Sequence, residues 1–173
     1  AREVAGQRPK SEAPVGIVEA LQASVANALG DPAAARSIAE RVLATGTRNF
    51  VEEPAVELAA MLDALIALED WEGIRAFLPE ARRRAGELTL AGPGADRAEG
   101  LVAAAAGETE QARQLLRAAI EGFDRVSPFE AARSREKLAV IDPEGREELL
   151  AAALATYDRL GAKPHSERIR STG

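Results

Sequence analysis

Few residues of this chain are of types that do chemistry, and their spacing points away from catalysis. His165 is the single histidine. One imidazole cannot build a multi-histidine metal site, and nothing near it in sequence suggests an ordinary catalytic triad. Coming just after Pro164, it is expected in the exposed first turn of a short tail helix. The chain has no cysteine, which removes disulfides, thiolate zinc sites and cysteine nucleophiles together. Adjacent carboxylates occur as Glu52-Glu53, Glu69-Asp70 and Glu147-Glu148. Helical neighbours point about 100° apart, so these pairs do not converge on a substrate, and acids near helix starts suit the dipole. Gly92-Pro93-Gly94 with Gly100 has the wrong spacing for a dinucleotide fingerprint, and no Gly-Lys-Ser/Thr phosphate loop occurs. The Gly-Pro-Gly run is expected to be a helix-breaking connector. Arg82-Arg83-Arg84 falls at a helix end, where cations favour the dipole; an anion-docking patch is the second reading. Trp71 is expected to pack between helices. No cofactor or metal is called for.

The elements that must carry these residues are helical. Alanine is the commonest residue, 38 of 173, against six aromatics; alanine has the best helix propensity and lets helices approach closely. Asp31-Pro32 and Asp142-Pro143 each place an N-cap acid before proline at the first helical position. Ser127-Pro128-Phe129-Glu130 reads as a capping box, and Glu53-Pro54 and Lys163-Pro164 mark weaker starts. Apolar residues recur at steps of three and four, as in Leu58, Met61, Leu62, Leu65 and Ile66, and again in Leu115, Leu116, Ala119, Ile120 and Phe123. Eight helices follow, roughly over 14–29, 32–45, 54–68, 71–88, 94–106, 109–125, 128–140 and 143–160, with a tail helix at 164–170. Pro79 should kink or split the fourth. Residues 1–13 read as a flexible N-terminal segment and 14–173 as one helical domain.

Two segments repeat. Leu115-Leu116-Arg117-Ala118-Ala119-Ile120-Glu121-Gly122-Phe123-Asp124-Arg125-Val126 matches Leu149-Leu150-Ala151-Ala152-Ala153-Leu154-Ala155-Thr156-Tyr157-Asp158-Arg159-Leu160 at an offset of 34 residues. A fixed period of this length is the mark of stacked helical hairpins. Small residues at fixed places, Gly100, Gly107, Ala112 and Ala119, and again Ala23, Gly30, Ala35 and Val42, resemble the tetratricopeptide repeat. Leu62, Ile74 and Arg146 depart from that pattern in the other two hairpins. The resemblance implies an all-α, right-handed superhelical solenoid of about four hairpins.

A narrower resemblance rests on three features together: Leu68-Glu69-Asp70-Trp71, the Gly100 to Gly107 stretch, and Pro128-Phe129-Glu130-Ala131-Ala132-Arg133. Over roughly residues 55–170 they are similar to the C-terminal helical region of large bacterial signalling ATPases, including adenylate-cyclase fusions and transcriptional activators. The resemblance implies a non-catalytic interaction and signal-relay module that binds a protein, a peptide or other domains of its parent along the concave face. The contact positions it implies are Ser24, Asn27, Asp63, Arg97 and Arg135, beside Ile17, Ile66, Leu101 and Ala104. A small-ligand inducer sensor is the alternative. An all-α enzyme would require Asp63, Arg97 and Arg135 to converge in a deep cleft. Self-association through end hairpins is a further expectation. The net charge of −6 argues against nucleic acid, and no run of 18 apolar residues would cross a membrane. The arginine excess, 19 against 3 lysines, is as well explained by a GC-rich genome as by function. The start at Ala1 fits a piece of a larger protein, and a cytoplasmic location is the simplest expectation.

Overall fold

A computed structural model describes residues 15–28, 31–45, 55–85 and 90–172. Among them are nine helices and no strand: α1 (Val15–Ala28), α2 (Pro32–Thr45), α3 (Ala55–Ala67), α4 (Trp71–Ala85), α5 (Ala91–Ala105), α6 (Thr109–Asp124), α7 (Pro128–Ile141), α8 (Arg146–Leu160) and α9 (Lys163–Thr172). The expected flexible segment 1–13, the Glu53-Pro54 start and Gly30 lie outside the described residues, as do the side chains of Ile17, Val42 and Arg84.

Packing follows chain order. Each helix lies against the next, α1 and α5 each also touch α3, and α5 reaches α7. The helices α1, α3, α5 and α7 are thus neighbours in series, whereas among the described residues the backbones of α2, α4, α6 and α8 do not come within 8 Å (Cα to Cα) of one another. α6 shows why a stripe suffices: Ala112, Leu116, Ala119, Ile120 and Phe123 are buried, and each large apolar side chain contributes about 1.5–3 kcal/mol when removed from water. α5 is enclosed on several sides, and alanine and glycine make that possible. A methyl added at Gly100 would stand 3.1 Å from Leu116 and 3.2 Å from Leu115, so glycine sets the closeness of α5 to α6.

Short turns fix the hairpins. In the α3–α4 turn Glu69 adopts φ 52°, a left-handed conformation that a side chain tolerates only at some cost. Asp70 compensates locally: its Oδ1 accepts from the Gly73 N–H at 2.8 Å, and its Oδ2 accepts from Arg36 of α2 at 2.6 Å. Gly107 and Gly161 take positive φ of 80° and 69° at the corresponding ends of α5 and α8, where glycine carries no penalty. Asp31 caps α2 as expected, accepting from the Ala34 N–H at 3.0 Å.

Several expectations are corrected. Gly92-Pro93-Gly94 is not a connector; it lies within α5, where the missing N–H of a first-turn proline costs nothing. Pro79 does not split α4, which runs unbroken from Trp71 to Ala85. Pro79 is exposed, so water can reach the carbonyl that its ring leaves unpaired. Asp142 does not cap α8. It ends α7 and is buried, with its carboxylate held by Arg117 at 2.9 Å, and α8 begins after Gly145. Only half of the capping box forms. Ser127 accepts from the Glu130 N–H at 3.5 Å, but the Glu130 carboxylate turns to two arginines instead. Trp71 packs against the core as expected.

Residues 34 apart in α6 and α8 have like surroundings. Ala119 and Ala153 are fully buried, and so, within 2%, are Phe123 and Tyr157. Asp124 and Asp158, one repeat apart, pair with Arg135 and Arg170 of the helices that follow, at 2.5 and 2.7 Å. Many arginines tie one element to another in this way; Arg82, for example, joins α4 to Asp96 and Glu99 of α5.

Candidate functional site

Helical phase brings the candidate residues together. Asp63 follows the buried Leu62 and precedes the buried Ala64 on α3, and Arg97 lies between Ala95 and Ala98 on α5. Each therefore leaves its helix beside the core. Arg97 is only 4% exposed, and a cation so placed must be paired. One of its nitrogens donates to Asp63 at 2.7 Å and the other to Glu130 of α7. Arg133, one turn after Glu130, closes the ring by donating to Asp63 at 2.9 Å and to Glu130 at 3.0 Å. Two carboxylates and two guanidiniums thus alternate across α3, α5 and α7, with charges that cancel.

The ring forms one side of a cavity of about 550 Å³. α1 contributes Ser24 and Asn27 to its wall, α6 contributes Phe123, α7 contributes Phe129, and α9 contributes His165. Asn27 donates to the Ala60 carbonyl at 3.2 Å, and its Oδ1 is buried with no hydrogen-bond partner among the described residues. Arg97 lies over the Phe123 ring, 5.1 Å from its centre, a cation–π contact. His165 is half-buried rather than exposed. Its ring packs edge-on to Phe129 at 5.1 Å and tilted against Tyr157 at 4.8 Å. Tyr157 is fully buried and donates its hydroxyl to Glu136.

The electrostatics follow from these placements. Burial opposes ionisation of Asp63, but the Arg97 and Arg133 guanidiniums outweigh it and hold its carboxyl below the usual carboxylate range. Burial likewise opposes charge on Arg133, but Asp63 and Glu130 raise its pKa further above the ordinary arginine value. Burial and then nearby Arg168 push the His165 pKa down, favouring the neutral ring. Burial, and then the hydrogen bond that its hydroxyl donates to the Glu136 carboxylate, push the Tyr157 pKa up. The cavity therefore presents fixed charges of both signs, an unpartnered amide oxygen and aromatic edges.

Of the residues singled out in the sequence, Ser24, Asn27, Asp63 and Arg97 line this one cavity. Arg135 does not. Two positions from Arg133 it leaves α7 on another side, pairs with Asp124 and lines a separate cavity with Arg117 and Asp142. Asp63 and Arg97 meet, therefore, but the three do not converge. Ile66, Leu101 and Ala104 are half-buried. Arg82 and Arg83 of the arginine run pair with carboxylates of α4 and α5. Sequence reasoning missed Glu130, Arg133, Phe123, Phe129 and His165 as cavity residues. One signal could have found the first two: Asp63, Arg97 and Glu130 recur at offsets of 34 and 33 residues with alternating charge. Among the described residues no helix is long and apolar enough to cross a membrane, and no group of three or more His, Asp or Glu side chains is placed to hold a metal ion. No known family, curated protein or solved structure matches the chain.

Proposed function

We propose that this chain is a non-catalytic interaction and signal-relay module of a larger bacterial regulatory protein, acting in the cytoplasm. Its helices form a right-handed superhelix of about four tetratricopeptide-like hairpins, and the partner, a protein segment or another domain of the parent, lies along the concave face of α1, α3, α5 and α7. The observation that carries this is the cavity itself, whose wall draws on α1, α3, α5, α6, α7 and α9 at once. A ligand seated there touches most of the stack, so binding biases the angle between hairpins and passes strain to whatever follows. The charge ring supports the same view: it ties three successive inner helices and would transmit a displacement of any one. The test deletes residues 55–172 from the parent protein and, separately, substitutes Phe129→Ala and Asn27→Arg in the cavity wall. Loss of both partner capture and regulation is expected. If both survive the deletion, the proposal fails.

One observation favours a second reading, an inducer-sensing domain. A cavity of about 550 Å³ falls within the range of small-molecule sites, and the Asn27 Oδ1 awaits a donor. A thermal-shift screen then yields stabilisation by one class of metabolite, abolished by Asn27→Leu. A flat screen removes this alternative and leaves the first.

A further inference from the structure

Next to the cavity, sharing Arg133 and His165 with it, lies a groove between α7, α8 and α9. It encloses about 460 Å³. Arg133, Lys137, Arg146 and Arg168 line it, with Glu136 as the single carboxylate. That carboxylate is already engaged, accepting from the Tyr157 hydroxyl and pairing with Arg168 at 2.7 Å. Arg133 is likewise neutralised by Asp63 and Glu130. Lys137 and Arg146 remain: among the described residues neither has a hydrogen-bond or ion-pair partner. A protein of net charge −6 has thus placed two uncompensated cations, from two different helices, on one groove.

The apolar residues that share the groove with those cations narrow the occupant. Val140, three residues after Lys137, is 71% exposed, the most exposed large hydrophobic among the described residues. Leu150, four residues after Arg146, and Ile169 of α9 also line the groove. Steps of three and four put each cation and its apolar neighbour on the same helix face. A small inorganic anion would satisfy the cations and leave these side chains wet. A long polyanion would meet the acidic remainder of the surface. An acidic peptide with an apolar side chain every third or fourth residue satisfies both groups at once. Lys137 is consistent with this: burial and the neighbouring Arg133 and Arg97 lower its pKa, and an incoming carboxylate reverses that pressure.

We propose that the α7–α8–α9 groove is a docking site for an acidic, leucine-bearing peptide segment of a protein partner, gripped by Lys137 and Arg146 around Val140, Leu150 and Ile169. This does not depend on occupancy of the cavity described above. The test uses the full chain and a fluorescein-labelled peptide of alternating Glu-Glu-Leu and Asp-Glu-Leu units, followed by anisotropy. Controls are the same peptide with Gln and Asn for the acids, citrate, inorganic phosphate and a single-stranded oligonucleotide. Saturable, salt-sensitive binding of the acidic peptide alone is expected. Lys137→Gln and Arg146→Gln should each weaken it about fivefold, the upper end for one exposed ion pair, and Val140→Ser should weaken it further. All three side chains are exposed, and unchanged melting curves separate lost binding from lost folding. Equal binding of the amide peptide, displacement by phosphate, citrate or oligonucleotide at matched charge, or no effect of the two Gln variants overturns the proposal.

Discussion

Replacing Arg97 with alanine should destabilise the protein more than any other single change at the cavity. The guanidinium is 4% exposed and makes two charge-assisted bonds, to Asp63 and Glu130. Stranding one partner of a buried pair costs about 3–5 kcal/mol. Here both carboxylates keep Arg133, at 2.9 and 3.0 Å, so part of that penalty is avoided. Loss of the contact over Phe123 adds to it. The net expectation is about 2–3 kcal/mol, or a fall in Tm of roughly 6–10 °C for a chain of this size. Urea unfolding followed by circular dichroism measures it. A double-mutant cycle with Asp63→Asn isolates the pair and should give a coupling of at least about 1 kcal/mol. Arg97→Lys should recover less than half, because a single ammonium cannot bridge two carboxylates as the planar fork does. A loss under about 0.5 kcal/mol, or no coupling with Asp63→Asn, would refute the view that this ring is a structural tie.

Other consequences follow from the same geometry. Asp63 has a folded pKa below its unfolded value, so its stabilisation is complete above the unfolded pKa near 4 and is lost as pH falls through the folded one; Asp63→Asn should flatten the acid limb of a urea-midpoint profile. His165 is the opposite charge type with a lowered folded pKa. The unfolded chain therefore binds its proton more readily, and stability should rise with pH through about 6.5. Replacing His165 with phenylalanine, which keeps the ring packing, should remove that slope, and a slope that persists would point to another group. Gly122→Ala places a methyl against the rigid Pro93 ring; a loss of about 1–2 kcal/mol is expected despite the better helix propensity of alanine, because overpacking outweighs it. Tyr157→Phe removes the hydroxyl bound to Glu136 and should cost about 1 kcal/mol, read as a shift in urea midpoint.

Helices and their phases were legible because they are local properties. Leu115 to Phe123 and Leu149 to Tyr157 announce their buried stripes by spacing alone, and the starts of α2 and α7 follow from Asp31 and Ser127. Proline was misread where its cost depends on surroundings: Pro93 sits in a first turn and Pro79 faces water, so neither breaks a helix. Asp142 was misread for a related reason. An aspartate before proline fits a helix cap, but Arg117 and Arg113 from another helix reach its carboxylate, and a charged partner outweighs a capping bond.

The all-α class and the recurrence of the Leu115–Val126 pattern 34 residues on were written in the chain itself. Those follow from periodicity, which the chain carries whatever its surroundings. Which charges meet was left to the three-dimensional packing. Arg133 and Arg135 are two residues apart, yet one closes a buried ring with Asp63 while the other faces Asp124. Likewise His165, placed by sequence in an exposed turn, packs beside Phe129 and Tyr157 because α9 folds back toward α7 and α8. Such pairings depend on the angle at which helices distant in sequence cross, and that angle is set by the whole packed stack.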